Sequence, residues 1–573
     1  MKASFLFAVS FWAMACKKSD DGIDASKPPV DPATAPTIGL FSDEFVNKSF
    51  QLPANTLAKA AITDKPTVTV TVDPYKIISR VPGYIFSENA NVSTTQFVNQ
   101  PTLINNINKL NPAVIRYPGG SEANIFFWDR DQGNLPADVP ATLYDRDGNS
   151  INPSWKYGKS TAAETMSLDN YYQLLQQTSS KGMITINYSY ARYGLSDNPV
   201  TQAAKYAADW VRYDNGRTKY WEIGNENYGY WQYGYKINKG NNKDGQPEII
   251  DGNTYANHAA IIIDSMRKAA SEINKQILIG AVLVEGEYVD FTAVQRQWNV
   301  NVIKKINSKV DFYSCHNYYT PFNENSSADD ILYIVPYSTD VFSKYIASSF
   351  KSAGAEVKPV ALTEYNINAL GSGQAASYIN GLTSILVQGE LLKNKFGFAA
   401  RYTVADKWNN GNSKGMFNTG ALPGGVENWA ASPVFTYQEM FKKFLGDRFI
   451  TATKKYNIQG NDIEAYASSY SNGYIGVVLV NKLLGNAVAK VDLKYWTPKD
   501  DFIWYELVGG TNNGAFSSQV FVNGVGPAGA TAIGGPADLA NVPAYTTATS
   551  DGITVKMPPR SAIFLSFKYN TPQ

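Results

Sequence analysis

From about residue 80 to 430 the chain alternates two kinds of segment. Short apolar runs, GYIFSE, AVIRYP, MITINYS, YWEIGNE, ILIGAVLVE, VDFYSCH, VALTEY and FGFAARYTVAD, have the length of buried strands. Between them lie stretches with apolar residues at helical spacing. SLDNYYQLLQQTSSKG opens at a Ser cap and closes at Lys181–Gly182, and TYANHAAIIIDSMRKAASEIN carries the same period. Eight such alternations predict a closed (β/α)8 TIM barrel, an α/β fold, with a doubly wound open sheet as the competing topology.

After about residue 430 the period changes to two. NDIEAYASSYSNGYIGVVLVNKLL, NAVAKVDLKYW and ITVKMPPRSAIFLSFKY alternate apolar and polar positions between Gly, Asn and Pro turns, which predicts a C-terminal β-sandwich over 431–573. PTVTVTVDPY, ahead of the first barrel run, alternates in the same way. Residues 66–79 are therefore expected to add a strand to the sandwich, with the barrel over 80–430.

The strand ends carry the chemistry. The apolar runs change character at their C-terminal ends, at Glu88, Arg116, Asn187, Glu226, Glu285, His316, Glu364 and Asp406. Active sites of (β/α)8 barrels lie at that rim. The run YWEIG ends in Asn225–Glu226, and VALTEY places Glu364 at its end. A pair of carboxylates on either side of a sugar is what cleavage of a glycosidic bond requires. The tract NYGYWQYGY follows Glu226 directly, so Tyr228, Tyr230, Trp231, Tyr233 and Tyr235 are candidates to stack on sugar rings, as is Trp408 after the eighth strand. His258 sits inside a helical stretch and reads as structural. DRDQGN and DRDGNS do not fit the ligand spacing of an EF-hand, and no zinc, phosphate-loop or dinucleotide motif occurs, so neither a metal nor a cofactor is expected.

Composition narrows the partners. Lys plus Arg number 51 and Asp plus Glu 50, a net charge of +1, so no basic excess points to nucleic acid. At the N-terminus, Lys2 precedes the apolar stretch ASFLFAVSFWAMA, which is too short for a stable membrane span. Residues 1–16 resemble a bacterial lipoprotein signal, with Cys16 as the lipidated first mature residue. The tract KKSDDG after it resembles surface-export tags of Bacteroidetes lipoproteins. The expected location is the outer membrane, at the cell surface, through that anchor alone. Residues 17–65 read as a Pro-rich tether, SKPPVDPATAPT, followed by an uninformative stretch. The other cysteine, Cys315, lies in an apolar run and reads as buried and inert.

Several motifs together resemble clan A glycoside hydrolases, most closely the family 51 α-L-arabinofuranosidases and their relatives; families 39 and 79 share the layout. They are AVIRYPGG, DWVRYDNGRTKYWEIGNEN, SCHNYY, LTEYNI and MPPRSAIFLSF, spread over residues 66–573. The resemblance implies a retaining glycosidase with Glu226 as acid/base and Glu364 as nucleophile, their carboxyls roughly 5–5.5 Å apart. It implies that Arg116 and Tyr318 orient the nucleophile, that Asn225 binds the sugar 2-hydroxyl, and that His316 belongs to the site. It also puts Glu88 in a substrate-binding position, although Asn89 stands where family 51 has His. Asn124, after Arg116, is a further candidate. The expected substrate is a plant or algal polysaccharide or its oligosaccharides, an α-L-arabinofuranoside among them. The alternative function is a surface glycan-binding protein that has lost catalysis.

Overall fold

The computed structural model describes residues 23–42, 44–286, 292–460 and 462–570. Cys16 and its lipoprotein signal lie outside them. Among the described residues no helix is long and apolar enough to cross a membrane.

Eight strands close into a parallel barrel, not an open sheet. They are β1 (Ser87–Asn89), β2 (Val114–Tyr117), β3 (Lys181–Ile186), β4 (Tyr220–Ile223), β5 (Leu278–Val282), β6 (Phe312–Asn317), β7 (Val360–Tyr365) and β8 (Ala399–Arg401). The helices that follow them are α1 (Pro101–Leu110), α2 (Leu168–Thr178), α3 (Pro199–Asp214), α4 (Gly252–Glu272), α5 (Ala293–Ile306), α6 (Ala328–Ala353), α7 (Tyr378–Lys393) and α8 (Pro433–Phe444). Local signals set several of their starts. The Ser167 side chain caps α2 by accepting from the Asn170 amide at 3.2 Å, and Pro433 stands in the first turn of α8. Lys181–Gly182, expected to close α2, instead opens β3.

The barrel extends past residue 430, because α8 completes it and runs to Phe444. The chain then enters an 11-stranded sheet that folds over its own apolar core, in which Val70, Val477, Val555 and Ile563 meet. Strand Val68–Arg80 lies within this sheet, antiparallel to Arg448–Tyr456 and parallel to Ala487–Leu493. The sandwich is thus built from chain on both sides of the barrel.

Residues 23–42 and 44–58 are anchored on the folded body at several points. Phe41 is fully buried and packs against Tyr84, Tyr220, Phe312 and Phe398. These residues stand at or just before the first positions of β1, β4, β6 and β8, so Phe41 plugs the end of the barrel at which the strands begin. Asp31 pairs with Arg448, Phe50 packs on Phe444, and Thr56–Ala58 adds a parallel strand to Ala544–Ala548. Within the stretch read as a tether, Asp31 and the Ala25 and Lys27 carbonyls, which accept from Tyr75 Oη, are held against the folded body, and Phe41 lies in the uninformative stretch beyond it.

Candidate active site

The β4 exit is a tight turn. Gly224 has φ 83°, and a Cβ there would overlap the Asn227 side chain. Glu226 itself has φ 47°, a left-handed conformation uncommon for a residue with a side chain. The turn leaves the carboxyl of Glu226 over the barrel mouth. On β7 the register against β6 slips between Cys315 and His316, which brings His316 opposite Glu364. Bulges of this kind re-aim side chains next to active sites.

The two glutamates face each other. One ligand atom from each of Glu226, His316 and Glu364 lies within 4.8 Å of the others. His316 Nδ1 stands between the carboxylates, 2.9 Å from Glu226 Oε1 and 3.7 Å from Glu364 Oε2, while its Nε2 contacts Thr363 Oγ1 at 3.2 Å. The carboxyls differ in access: 15% of the Glu226 side chain is exposed and 4% of Glu364.

Glu364 is held on both oxygens. Arg116 Nη1 donates to Oε1 and Tyr318 Oη to Oε2, each at 2.7 Å. Arg116 is the hub of the site. Its Nη1 also donates to Asn89 Oδ1 at 2.9 Å, its Nη2 to Asn225 Oδ1 at 2.8 Å, and its Nε to Glu222. Glu222 also accepts from Thr185 Oγ1 at 2.6 Å. The Asn225 Nδ2 group is buried with no hydrogen-bond partner among the described residues, a donor left for a ligand hydroxyl. Asn124 braces the β4 turn by donating to the Asn225 carbonyl at 2.9 Å and to Gln232 Oε1 at 2.8 Å.

Glu226 Oε2 accepts from Trp231 Nε1 at 2.8 Å and from Gln232 Nε2 at 2.9 Å. Burial works to raise the Glu226 carboxyl. The hydrogen bond and charge of His316, with the Trp231 and Gln232 donors, outweigh it and hold the group below the usual carboxylate value. For His316 burial works downward, and the charge of Glu364, then the hydrogen bond and charge of Glu226, lift the ring above its ordinary value. His316 and Glu226 thus each favour the charged form of the other across their 2.9 Å contact. The same three residues also have the donor set and spacing to chelate a divalent cation.

The structure brings Glu226, Glu364, Arg116, Asn225, His316 and Tyr318 into one cluster. Glu88 is not part of it. Successive side chains of a strand point to opposite faces, and on β1 it is Asn89 that joins Arg116. Glu88 stands in register with Arg401 on the outer face of the barrel, buried and pushed up to about 8 by burial against the pull of Arg401. Trp408 is also placed elsewhere: it is buried in a satellite cluster with Ala376, Leu422 and Ile533. Tyr228 is buried and packs edge-on against Trp231 and Trp298. The exposed aromatic at the site is Trp231, with 48% of its surface open. Cys315 is buried, and burial pushes its thiol well up. His258 is buried and bonded to Tyr188 Oη at 3.1 Å. Glu222, Gln232, Asn89 as a site residue, and Lys414, whose ammonium lies 3.9 Å from the centre of the Tyr318 ring, were not read from the sequence.

No family model and no curated relative matches the chain. Solved structures do, at low identity. An α-L-arabinofuranosidase from Thermotoga maritima, solved with arabinose, superposes with TM-score 0.59 at 15% identity, covering 87% of this chain and 100% of its own. A family 51 α-L-arabinofuranosidase from Bifidobacterium longum gives 0.61 at 16% identity, covering 88% and 100%. A bifunctional glucanase-xylanase from a metagenome library gives 0.55 at 14%, covering 88% and 100%. The fold is that of family 51 and related clan A glycoside hydrolases.

Proposed function

We propose that this protein is a retaining glycoside hydrolase. The observation that carries the reading is the pair of facing carboxylates, with one oxygen from each within 4.8 Å. A spacing that short suits direct attack by a carboxylate better than the wider separation used by inverting pairs. Glu364, the more enclosed and held on both oxygens, is the nucleophile. It attacks the anomeric carbon and displaces the leaving alcohol. Glu226, the more open to solvent, protonates the departing oxygen and later takes a proton from the water that releases the sugar. His316 holds that proton in the free site and passes it to Glu226 when the leaving group approaches. Asn225 Nδ2 donates to a sugar hydroxyl, and Trp231 forms a wall of the entrance.

The substrates are plant or algal polysaccharides or their oligosaccharides. Two of the three superposed structures are named as α-L-arabinofuranosidases, so an α-L-arabinofuranoside is the first class to test. Asn89, in place of the histidine expected of family 51, and the glucanase-xylanase on the same fold widen the trial to pyranosides. The enzyme works from the outer membrane, held at the cell surface by a lipid on Cys16. The test is a screen of aryl glycosides in both anomers and ring forms, with Glu364→Ala as control. The reading requires turnover of at least one glycoside and its loss in the variant. Turnover of none, or equal turnover by the variant, rejects it.

A further inference from the structure

Lys414 lies just past β8, on the loop between the short strands Ala405–Lys407 and Phe417–Thr419. Its ammonium sits 3.9 Å from the centre of the Tyr318 ring, and Tyr318 is the residue bonded to the nucleophile candidate. A cation thus stands one side chain away from Glu364. It donates to Asn368 Oδ1 at 2.8 Å. An ammonium has three donors, and among the described residues no carboxylate comes within ion-pair distance of this one. Burial pushes it down to about 8, against the pull of Glu364 and Glu226, its leading charge partners; Asp406 adds a weaker pull and Arg401 opposes it.

Orienting Glu364 does not call for this lysine, since Arg116 and Tyr318 already occupy both carboxylate oxygens. The groups it touches directly, the Tyr318 ring and the Asn368 amide, are neutral. A half-buried ammonium with spare donors and, among the described residues, no carboxylate in ion-pair contact, at the edge of a sugar site, fits an anion brought by the ligand.

We infer that Lys414 recognises a negatively charged substituent of the sugar bound over Glu364, either a uronate carboxylate or a sulfate ester. Lys414 is a specificity residue within the site of the proposed glycosidase, and the inference rests on that reading. Charge-assisted hydrogen bonds in a partly buried site favour the charged sugar on the order of tenfold or more.

Calorimetry on the full chain tests this without turnover. The matched pairs are glucuronate against glucose, galacturonate against galactose, and galactose 6-sulfate against galactose. The expected result is at least about tenfold tighter binding of one anionic member over its neutral partner. Which pair shows it separates carboxylate from sulfate. Lys414→Met should bring the ratio to about one, and Lys414→Arg should keep most of it. Unfolding midpoints of both variants show whether the fold is intact; if Lys414→Met unfolds, the Lys414→Gln ratio decides. Equal binding of charged and neutral partners by the unmodified protein overturns the inference, as does a ratio untouched by loss of the ammonium. Glycosides turned over with no charge preference sink this inference alone, whereas anion-selective binding with no turnover of any glycoside sinks the glycosidase reading alone.

Discussion

Replacing Arg116 by Met keeps the apolar stem of the side chain but ends short of the guanidinium, removing its charge and all of its donors. The Arg116 side chain is 0% exposed and its partners are nearly as enclosed, Glu222 at 1% and Glu364 at 4%. The variant therefore leaves two buried carboxylates without their cation and two amide oxygens, on Asn89 and Asn225, without a donor. Removing one partner of a buried pair costs about 3–5 kcal/mol, a large share of the ~5–15 kcal/mol that holds a domain together. The loss depends on pH. Burial works to raise Glu222, and the charge of Arg116 leads the effects that hold it below its ordinary value. A depressed carboxyl contributes stability above its unfolded value, and that stability is lost as pH falls through the folded value. In Arg116→Met only burial and lesser partners remain, so Glu222 takes up its proton more readily. The gap between unmodified protein and variant should thus be widest near neutral pH and narrow in acid. Urea unfolding followed by tryptophan fluorescence at pH 7 and pH 4 measures it. Adding Glu222→Gln to Arg116→Met should recover part of the loss, because the stranded charge is gone. A loss below about 1 kcal/mol at pH 7, or a double variant as unstable as the sum of both single ones, refutes the hub role of Arg116.

The basic limb of kcat/KM should lie above pH 6.5, the ordinary value of His316, because the raised ring retains the site proton until pH passes its folded pKa. His316→Gln should move that limb to lower pH, and an unmoved limb assigns the proton elsewhere. Phe41→Ala opens a cavity beneath the barrel and should lower stability by about 3–5 kcal/mol in thermal or urea unfolding. A change under about 1 kcal/mol would mean that the segment does not plug the barrel in solution. Cys16→Ala should shift the protein from the membrane to the soluble fraction, and unchanged fractionation refutes the lipid anchor.

The barrel was legible because its strands are apolar inside and change character at one end, and because the helices between them keep their period. The same logic located Glu226, Glu364, His316 and Arg116, each at or near a strand exit. It failed where one residue decides the face. Glu88 and Asn89 are adjacent, and a shift of one position turns a side chain from the barrel mouth to its outer surface. Glu222 did carry a signal: a charge inside the apolar run YWEI needs a buried partner, and Arg116 on a nearby strand was the cation available. Trp231 and Trp408 look equivalent in sequence, and only packing against distant residues buries one and leaves the other open. Phe41 is placed by contacts far along the chain, which no local pattern records.

The central claim is a covalent two-step cleavage by Glu364 and Glu226, and product stereochemistry tests it most directly. Proton NMR of the first sugar released from the best substrate, recorded before mutarotation, reads the anomer formed. The account predicts the same anomeric configuration as in the substrate. Release of the inverted anomer would contradict it, because inversion requires carboxyls about 6.5–9.5 Å apart with a water between them.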